Sequence, residues 1–365
     1  MYQLRNRINA ALLSHGRLLD LAYSQGYNVL HARDALRQQA AALRPVSFGE
    51  LASRVPECAS RYLDVHVTTR CNALCSFCVY RKAVRAGSLK PTVMDVDLFK
   101  KVVCELDALG GTRLSLTPLV GEALLDPYLY ERIDFALHEA GLQSVFLCTN
   151  GILLEKADNF RSLVDSGIDE LDISTQGTSR SAYEAAYGVD KYDVLLAGLA
   201  HLLEYNKSKG EPLRIRIRFR NSQKPSEIVS SKDYLKYIQP YLSQRVHVSF
   251  TVRYISWGGT IQQHELPAGM RLSKMPRQVN LPCANLLSIA VTPSGHVRMC
   301  GCVMKHTDVD DLVIGNVRKD TLEHILRGSR PLEVIQGFYD GSRPDVCSQC
   351  EMYVPITRGM LNTTA

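Results

Sequence analysis

From residue 62 to residue 254, short apolar or alternating runs are separated by longer stretches whose apolar residues recur every three to four positions. The short runs predict β-strands and the longer stretches predict amphipathic helices. Strands that alternate with helices favour a parallel sheet covered by helices, because each parallel pair of strands needs a crossover connection. The predicted strands are 63–69, 113–119, 144–149, 170–175, 213–220 and 246–254, and the predicted helices include 97–109, 127–140, 154–166 and 192–205.

Six strand–helix units make an incomplete barrel, so the expected fold class is α/β with a partial (β/α)6 barrel. In parallel barrels, ligands bind at the carboxyl ends of the strands. A functional site is therefore expected on the loops that follow the six strands.

The two ends of the chain lack this alternation. Residues 1–55 carry two apolar stripes at helical spacing, punctuated by Gly26 and Pro45, and predict a pair of helices packed on the outside of the barrel. Beyond residue 254 the alternation stops, and spaced cysteines predict a small module. The expected division is an N-terminal helical segment 1–58, a barrel 59–260 and a C-terminal cysteine-bearing domain 261–365.

The composition narrows the class of protein. The 365 residues are 45% hydrophobic, enough for one large core and a smaller module. No stretch has the apolar length that spans a bilayer, and no signal-like apolar block follows the N-terminus, so a cytoplasmic protein without membrane association is expected. The formal net charge of +6 is modest and no stacking-aromatic motif accompanies it, so no nucleic-acid partner is expected.

Eleven cysteines would be unusual as disulfides in the cytosol, where thiols stay reduced. Cys71, Cys75 and Cys78 follow the first predicted strand as CxxxCxxC, and three thiolates at this spacing can bind three irons of one [4Fe-4S] cube. The fourth iron is then open to chemistry. A zinc knuckle is the alternative, although zinc usually takes four ligands, and His66 is the nearby candidate for the fourth.

The spacing of these three cysteines, with Phe77 before the last of them, resembles the radical S-adenosylmethionine (SAM) superfamily. The resemblance implies a catalytic [4Fe-4S] cluster at Cys71, Cys75 and Cys78, with SAM bound to the open iron. It also implies that one electron cleaves SAM to methionine and a 5'-deoxyadenosyl radical, which takes a hydrogen atom from the substrate. An electron donor such as flavodoxin or ferredoxin is the expected partner.

A motif after the second predicted strand extends this resemblance. Residues 118–122 are similar to the superfamily's Gly-Gly-Glu segment, in which the strand edge and the acid hold the SAM amino group. Gly121 and Glu122 match that segment, whereas Val120 replaces its first glycine. The resemblance therefore implies that Gly121 and Glu122 bind SAM.

Motifs after the third and fourth strands continue the match in the same order. Thr149 and Asn150 are similar to the start of the superfamily's Thr-Asn-Gly turn near the SAM ribose, and Ser174 matches a residue that contacts the ribose or carboxylate. Tyr183 and residues 187–188 are similar to a Tyr-containing helix that ends in Arg-Gly, although the arginine is absent here. Each of these motifs alone could be an ordinary turn or helix cap.

The predicted strand 213–220 alternates apolar residues with arginines, and period-two geometry sends the two sets to opposite faces. If helices cover the apolar face, the arginines point into the barrel, where an unpaired charge would cost several kcal/mol. Arg216 and Arg218 are predicted to bind the SAM carboxylate and a polar substrate. The alternative is an edge strand whose arginines face solvent. The arginines are Arg214, Arg216, Arg218 and Arg220.

A second set of cysteines lies in the C-terminal part of the chain, and four thiolates can ligate one further cube. Residues 292–297 between its first two members predict a tight turn between short strands. This order is similar to the SPASM or twitch extension of radical SAM enzymes, which implies one auxiliary [4Fe-4S] cluster. A zinc ribbon is the alternative. The four cysteines are Cys283, Cys300, Cys347 and Cys350.

Cys302 lies outside this pattern. It could be an alternative ligand, a thiol that returns a hydrogen atom to the substrate, or a small buried residue.

Oxidation of a sugar- or aminocyclitol-type carbon is the favoured reaction, because an auxiliary cluster could accept an electron from the substrate. Epimerisation, with Cys302 as the catalytic hydrogen donor, is an alternative. The expected substrate is a small polar or anionic molecule, or else a ribosomal peptide, and the rival from another class is a non-catalytic zinc protein.

Overall fold

Nine strands form one open sheet in the computed structural model, which describes residues 16–220, 222–251, 253–307 and 309–362. The strand order is β6-β5-β4-β3-β2-β1-β7-β8-β9. Strands β1 to β6 pair in parallel, and β7 is parallel to β1. The strands are β1 (Tyr62–Val65), β2 (Arg113–Ser115), β3 (Ser144–Thr149), β4 (Glu170–Thr175), β5 (Arg214–Arg220), β6 (Val246–Thr251), β7 (Ile289–Val291), β8 (His296–Met299) and β9 (Val313–Asn316).

The predicted α/β fold with an open, six-stranded barrel is confirmed, because β1 to β6 follow one another in parallel and the sheet does not close. The C-terminal strands β8 and β9 are antiparallel and continue this same sheet beyond β7. The C-terminal module therefore packs beside β1, next to the loop that carries the first three cysteines.

Helices cover the sheet and fill the N-terminal segment. None in the described part of the chain has both the length and the apolar character needed to cross a membrane. They are α1 (Gly16–Leu43), α2 (Phe48–Ala52), α3 (Val55–Ser60), α4 (Tyr80–Arg85), α5 (Val96–Ala108), α6 (Leu129–Asp134) with a π-helical turn (Phe135–Glu139), α7 (Asn159–Asp165), α8 (Arg180–Tyr187), α9 (Tyr192–Ser208), α10 (Pro225–Val229), α11 (Lys232–Tyr237), α12 (Leu322–Arg327), α13 (Ser329–Tyr339), α14 (Asp345–Ser348) and α15 (Arg358–Asn362).

The predicted break at Gly26 is wrong, because α1 continues through this residue as one helix. A glycine inside a helix costs only about 1 kcal/mol relative to alanine, which packing can offset. The helix does end before Pro45, as expected from the restriction that proline places on the preceding residue. The part of the first predicted stripe within residues 1–15 lies outside the described residues.

Three strands are shorter than predicted. The strand expected at 63–69 ends at Val65, and those expected at 113–119 and 246–254 end at Ser115 and Thr251. In the first case the hydroxyl groups of Thr68 and Thr69 donate hydrogen bonds to the carbonyl oxygens of residues 92 and 90, both at 2.9 Å. The chain therefore leaves the sheet early and forms the loops that shape the site.

Candidate functional site

A cavity of about 500 Å³ lies inside the open barrel and extends to the carboxyl ends of its strands. It is lined by inward-facing residues of the barrel strands, by the loops that follow them and by part of the C-terminal module. Arg216 and four cysteines of the C-terminal set are not among the lining residues. The predicted site residues that do line it are Cys71, Cys75, Phe77, Cys78, Gly121, Glu122, Thr149, Asn150, Ser174, Arg218 and Cys302.

The loop that carries the first three cysteines rests on the end of α8. The backbone N–H of Leu74 donates to the carbonyl of Tyr187, and that of Ser76 donates to Ala186, both at 2.9 Å. Gly188 caps α8 with φ at +69°, and a Cβ at this position would lie 2.8 Å from the Leu74 carbonyl oxygen. Gly188 thus supports the cysteine loop, whereas Tyr187 both accepts a hydrogen bond from that loop and lines the cavity.

The C-terminal half of the chain also holds this loop. The indole Nε1 of Trp257 donates to the carbonyl of Phe77 at 2.8 Å. The rings of Phe77 and Tyr254 lie 5.3 Å apart. Phe77 is therefore a buried anchor of the loop, fixed by residues from beyond β6.

The three thiols of this loop are withdrawn from water. Burial raises the pKa of Cys71 to about 12 and that of Cys78 to about 11, and it raises the pKa of Cys75 well above its ordinary value. Thiolates at these positions require a nearby cation, and iron ligated by sulfur is the chemistry that three such cysteines suit. The donor set therefore fits a cluster.

Among the described residues, no three Cys, His, Asp or Glu side chains are gathered tightly enough to hold a single metal ion. A cube does not require that convergence, because each thiolate binds a different iron. Two further observations fit a polar ligand beside the thiols. Arg220 Nε and the Tyr254 hydroxyl are buried without a hydrogen-bond partner among the described residues, and both side chains line the cavity.

Glu122 organises the part of the cavity wall next to the first cysteine loop. Its carboxylate accepts hydrogen bonds from the Thr149 hydroxyl at 2.6 Å, the Asn150 N–H at 2.7 Å and the Leu124 N–H at 3.1 Å. Burial raises the pKa of this carboxyl group, whereas the three donors oppose that change. A carboxylate has about four acceptor sites, so one remains for a ligand donor.

Gly121 allows the chain to pass close to the first loop. Its φ is +140°, and a Cβ there would lie 2.7 Å from the Thr68 carbonyl oxygen. The N–H of Glu122 donates to the Arg70 carbonyl at 2.7 Å. The segment that resembles the Gly-Gly-Glu motif is thereby joined to the chain just before Cys71.

The arginine face of β5 lies toward the barrel interior, where Arg218 and Arg220 line the cavity. β5 pairs with β4 on one side and β6 on the other, so the alternative of an edge strand is wrong. Arg216 stands opposite Asp172 in the register of β4 and β5. Its Nε lies 2.5 Å from Asp172 Oδ1, and its Nη2 binds the other oxygen. Arg218 Nη2 also binds Asp172, at 2.5 Å. Asp172 thus holds Arg216 away from the cavity, while Arg218 reaches it.

Arg220 is the arginine of this stripe that lies nearest the thiols, since its charge acts on the pKa values of Cys75 and Cys78. It was part of the predicted alternating stripe, but spacing alone did not single it out. Its position at the end of β5 places it at the mouth of the barrel, where a ligand would be.

The second cysteine set is gathered by the C-terminal strands and by two loops that pack on them. Cys283 pairs in an isolated β-bridge with Pro355, and Cys300 follows β8 with a left-handed φ of +73°. Cys347 lies in α14, and the N–H of Cys350 donates to its carbonyl at 3.4 Å. The charges of Cys300, Cys350 and Cys283 all act to raise the pKa of Cys347 further than burial alone does. The fold therefore brings the four cysteines into one region of the C-terminal module.

A fully buried arginine that sequence reasoning did not single out shapes this region. Arg298 forms an ion pair with Asp310, with its Nη2 2.6 Å from Oδ2, and donates to the carbonyls of Cys300 and Val303, the second at 2.6 Å. One side chain thereby fixes the loop from 300 to 303. A buried ion pair of this kind is costly to break, because one charge then stays buried without its partner.

Cys302 lies next to both the second cysteine set and the barrel cavity. Its backbone N–H donates to the Cys300 sulfur at 3.4 Å, and a hydrogen bond from the Cys302 thiol lowers the pKa of Cys300. Cys302 and Gly301 line the cavity, whereas the four other cysteines of the set do not. Cys302 is thus the member of this group that lies between the second cysteine set and the barrel interior.

Asp64 lies beside this loop and was also missed from the sequence. It lines the cavity, and its Oδ2 is 2.9 Å from the Cβ position of Gly301. Burial raises its pKa to about 6, although hydrogen bonds from Ser115 and Tyr62 oppose the change. The signal available in the sequence was the alternation in β1, which places Asp64 on the face opposite Leu63 and Val65.

Known protein families match both the barrel and the C-terminal module. A model of the radical SAM superfamily matches residues 65–212, and a model of an iron-sulfur cluster-binding domain, SPASM, matches residues 283–351. The GTP 3',8-cyclase of Chlorobaculum tepidum is 27% identical over 142 residues, which are 39% of this chain and 41% of that protein. The chain thus spans less than half the length of this curated relative.

Solved structures share the fold over a longer span. Streptococcus suis SuiB bound to precursor peptide SuiA has a TM-score of 0.51 and 13% identity, over 80% of this chain and 70% of that one. Native anSMEcpe with bound AdoMet has a TM-score of 0.51 and 14% identity, over 76% and 84%. At these identities the likeness is one of fold. The family matches favour iron-sulfur chemistry over zinc at both cysteine sets. The chain therefore belongs to the radical SAM superfamily and carries a C-terminal iron-sulfur cluster-binding domain of the SPASM type.

Proposed function

We propose that this radical SAM enzyme oxidises a hydroxyl-bearing carbon of a small polar substrate. We also infer two [4Fe-4S] clusters, one at Cys71, Cys75 and Cys78 and one at the C-terminal cysteines. When bound, SAM and its cluster supply a 5'-deoxyadenosyl radical that takes a hydrogen atom, and an auxiliary cluster supplies a one-electron acceptor.

The observation that carries this proposal is the lining of the cavity. The three-cysteine loop lines the cavity, and so does Cys302, which adjoins the second cysteine set. A substrate in this space would lie between a site of hydrogen abstraction and a site that can accept an electron. This arrangement suits a net two-electron oxidation.

The protein's own residues would bind the substrate and remove its proton. As a carbonyl forms from an alcohol, the hydroxyl proton has to leave, and Asp64 is a carboxylate on the cavity wall that can accept it. Arg218 and Arg220 supply donors for the SAM carboxylate or for substrate oxygens. Glu122, with one acceptor site left, suits the SAM amino group.

Epimerisation is the second candidate, and a specific observation favours it. The Cys302 thiol lies on the cavity wall, where it could return a hydrogen atom to the substrate. Modification of a ribosomal peptide is supported only by fold likeness to structures with a bound peptide, such as SuiB with SuiA, which carries less weight than the lining of the cavity.

The experiment is an anaerobic assay of reconstituted protein with SAM, dithionite and a panel of sugars and aminocyclitols in D2O. Wild type is compared with a variant that carries Cys71→Ala, Cys75→Ala and Cys78→Ala, and iron and sulfide are measured in both. We expect two clusters and 5'-deoxyadenosine in wild type, and one cluster and no 5'-deoxyadenosine in the variant. A product that lacks two hydrogens supports oxidation.

A product that gains one deuterium without a change of formula, and whose formation stops in Cys302→Ala, would replace oxidation by epimerisation. Wild-type protein that binds no iron would overturn the assignment of both sites. A ribosomal precursor peptide is assayed in parallel with this panel, and its turnover with no turnover of small alcohols would overturn the proposed substrate class.

A further inference from the structure

A second pocket, of about 610 Å³, lies between α1 and the chain that follows β5 and β6. This volume is within the range of small-molecule sites. Hydrogen bonds to α10 hold helix α1 at this pocket. Asp20 of α1 accepts them from the N–H of Ser226 at 2.9 Å and from its hydroxyl at 2.5 Å. The ring of Tyr23 packs edge-on against Phe250, with centroids 5.0 Å apart. The N-terminal helix therefore forms one wall of a defined pocket.

The charge of this pocket is strongly one-sided. Its lining includes Arg17, Lys224, Arg253 and Arg271, and the acid among its lining residues is Asp20, whose two oxygens already bind Ser226. Within the part of the chain that the structure describes, no ion pair involves Arg17, Lys224 or Arg271. Four cations and one acid leave the lining with a net positive charge, so an anion would be stabilised among them.

Two residues near the end of β6 line both this pocket and the barrel cavity. They are Thr251 and Arg253, and Arg253 Nη1 donates to the Leu272 carbonyl at 3.4 Å. Gly269 packs closely against Ser222 in the lining of the pocket, because a Cβ at position 269 would lie 3.0 Å from the Cβ of Ser222. The pocket therefore borders the barrel cavity at Thr251 and Arg253.

We propose that this pocket binds the phosphate- or carboxylate-bearing end of the substrate, while the carbon that reacts lies in the barrel cavity. The inference rests on the proposed function for the reacting end, and it narrows the substrate class to small anionic molecules. Arginine suits both anions, since its guanidinium group donates two parallel hydrogen bonds to either.

The test measures binding rather than turnover. Pyrophosphate and citrate are titrated by calorimetry at low salt into the full chain, both reconstituted wild type and the variant without Cys71, Cys75 and Cys78. Because the probes need neither SAM nor the catalytic cluster, binding to both forms supports the pocket even if the proposed reaction is wrong. Pyrophosphate binding alone assigns a phosphate, and citrate binding alone assigns a carboxylate.

Arg17→Gln and Arg271→Gln remove cations from two different elements. Each is expected to weaken probe binding about tenfold, the effect of one charge-assisted hydrogen bond. Arg44→Gln is the matched control, since Arg44 is exposed just after α1 and outside the pocket, and it should change the dissociation constant less than twofold. Circular dichroism checks that each variant is folded.

Three outcomes would overturn the inference. They are no binding of either probe by wild type, equal affinity in wild type and both pocket variants, and an equal loss in the Arg44 variant, which would indicate general charge attraction.

Discussion

The two cysteine sets of this protein are gathered in different ways. The first lies within residues 71–78, on one loop, and its spacing alone brings three thiols together. The second is spread over residues 283–350, and its members meet because β7, β8, α14 and the loops around them pack on one another. A local set depends on what supports its loop, whereas a dispersed set depends on the integrity of the whole module.

This difference indicates which supporting residues each cysteine set depends on. The first loop packs against Gly188 and Trp257, both distant in sequence. Its three cysteines stay close together along the chain even if these contacts are lost. The second set is supported by Arg298, which ties the loop from 300 to 303 to Asp310. Substitutions at these supporting residues should therefore affect iron at one region and not at the other.

The largest effect is expected for Arg298→Met. Breaking a buried ion pair should lower the free energy of unfolding by about 3–5 kcal/mol and disorder the loop that carries Cys300 and Cys302. Iron and sulfide analysis with EPR should show loss of the auxiliary cluster and retention of the first.

Arg318→Met is the control for this substitution, because Arg318 is exposed and donates to the Ser294 carbonyl at 3.3 Å. Equal stability and equal iron content in the two variants would contradict the central role of Arg298.

An intermediate effect is expected at Asp64, which lies between the two regions. Its pKa is raised from 3.8 to about 6, so the folded state holds the proton more tightly than the unfolded chain, and stability is lost as the pH rises from about 4 to 6. Asp64→Asn removes this penalty and should raise the free energy of unfolding at pH 8 by about 3 kcal/mol, with no gain below pH 4.

The same residue predicts the pH dependence of the reaction. If Asp64 accepts the substrate proton, wild-type oxidation should fall as the pH drops through about 6. Asp64→Asn should slow oxidation and remove this dependence, while the exposed Asp107→Asn changes neither stability nor rate. An Asp64 variant that is less stable at pH 8, or fully active, would argue against a raised pKa or a catalytic role.

The smallest effect is expected for Gly188→Ala, which tests the support of the first loop. A left-handed φ costs a residue with a side chain about 1–2 kcal/mol, and the new Cβ would press on the Leu74 carbonyl. Gly141→Ala is a matched control, since Gly141 has the same φ of +69° but nothing within 4 Å of its Cβ position.

Both glycine variants should lose similar stability from backbone strain, but only Gly188→Ala should also lose iron from the first cluster. Identical cluster content in the two variants would mean that α8 does not hold the cysteine loop.

Much of the fold was readable from local pattern. Alternation of strands and helices predicted the open parallel sheet, and β3 and β4 have the bounds that were predicted. The ends of β1, β2 and β6 were missed because they depend on hydrogen bonds such as those of Thr68 and Thr69 to a distant segment. The continuous α1 was missed because packing can offset the weak helix propensity of Gly26.

The sequence by itself determined the three-thiol loop, the four further cysteines and the alternating arginines, because each depends on spacing along one short segment. The tertiary structure decided which arginine reaches the cavity, because the register places Arg216 opposite Asp172 and leaves Arg220 at the end of β5. It also decided that Asp64 lies beside Gly301 and that α1 completes a basic pocket. These contacts join segments far apart in the chain, and no local pattern encodes which of them will meet.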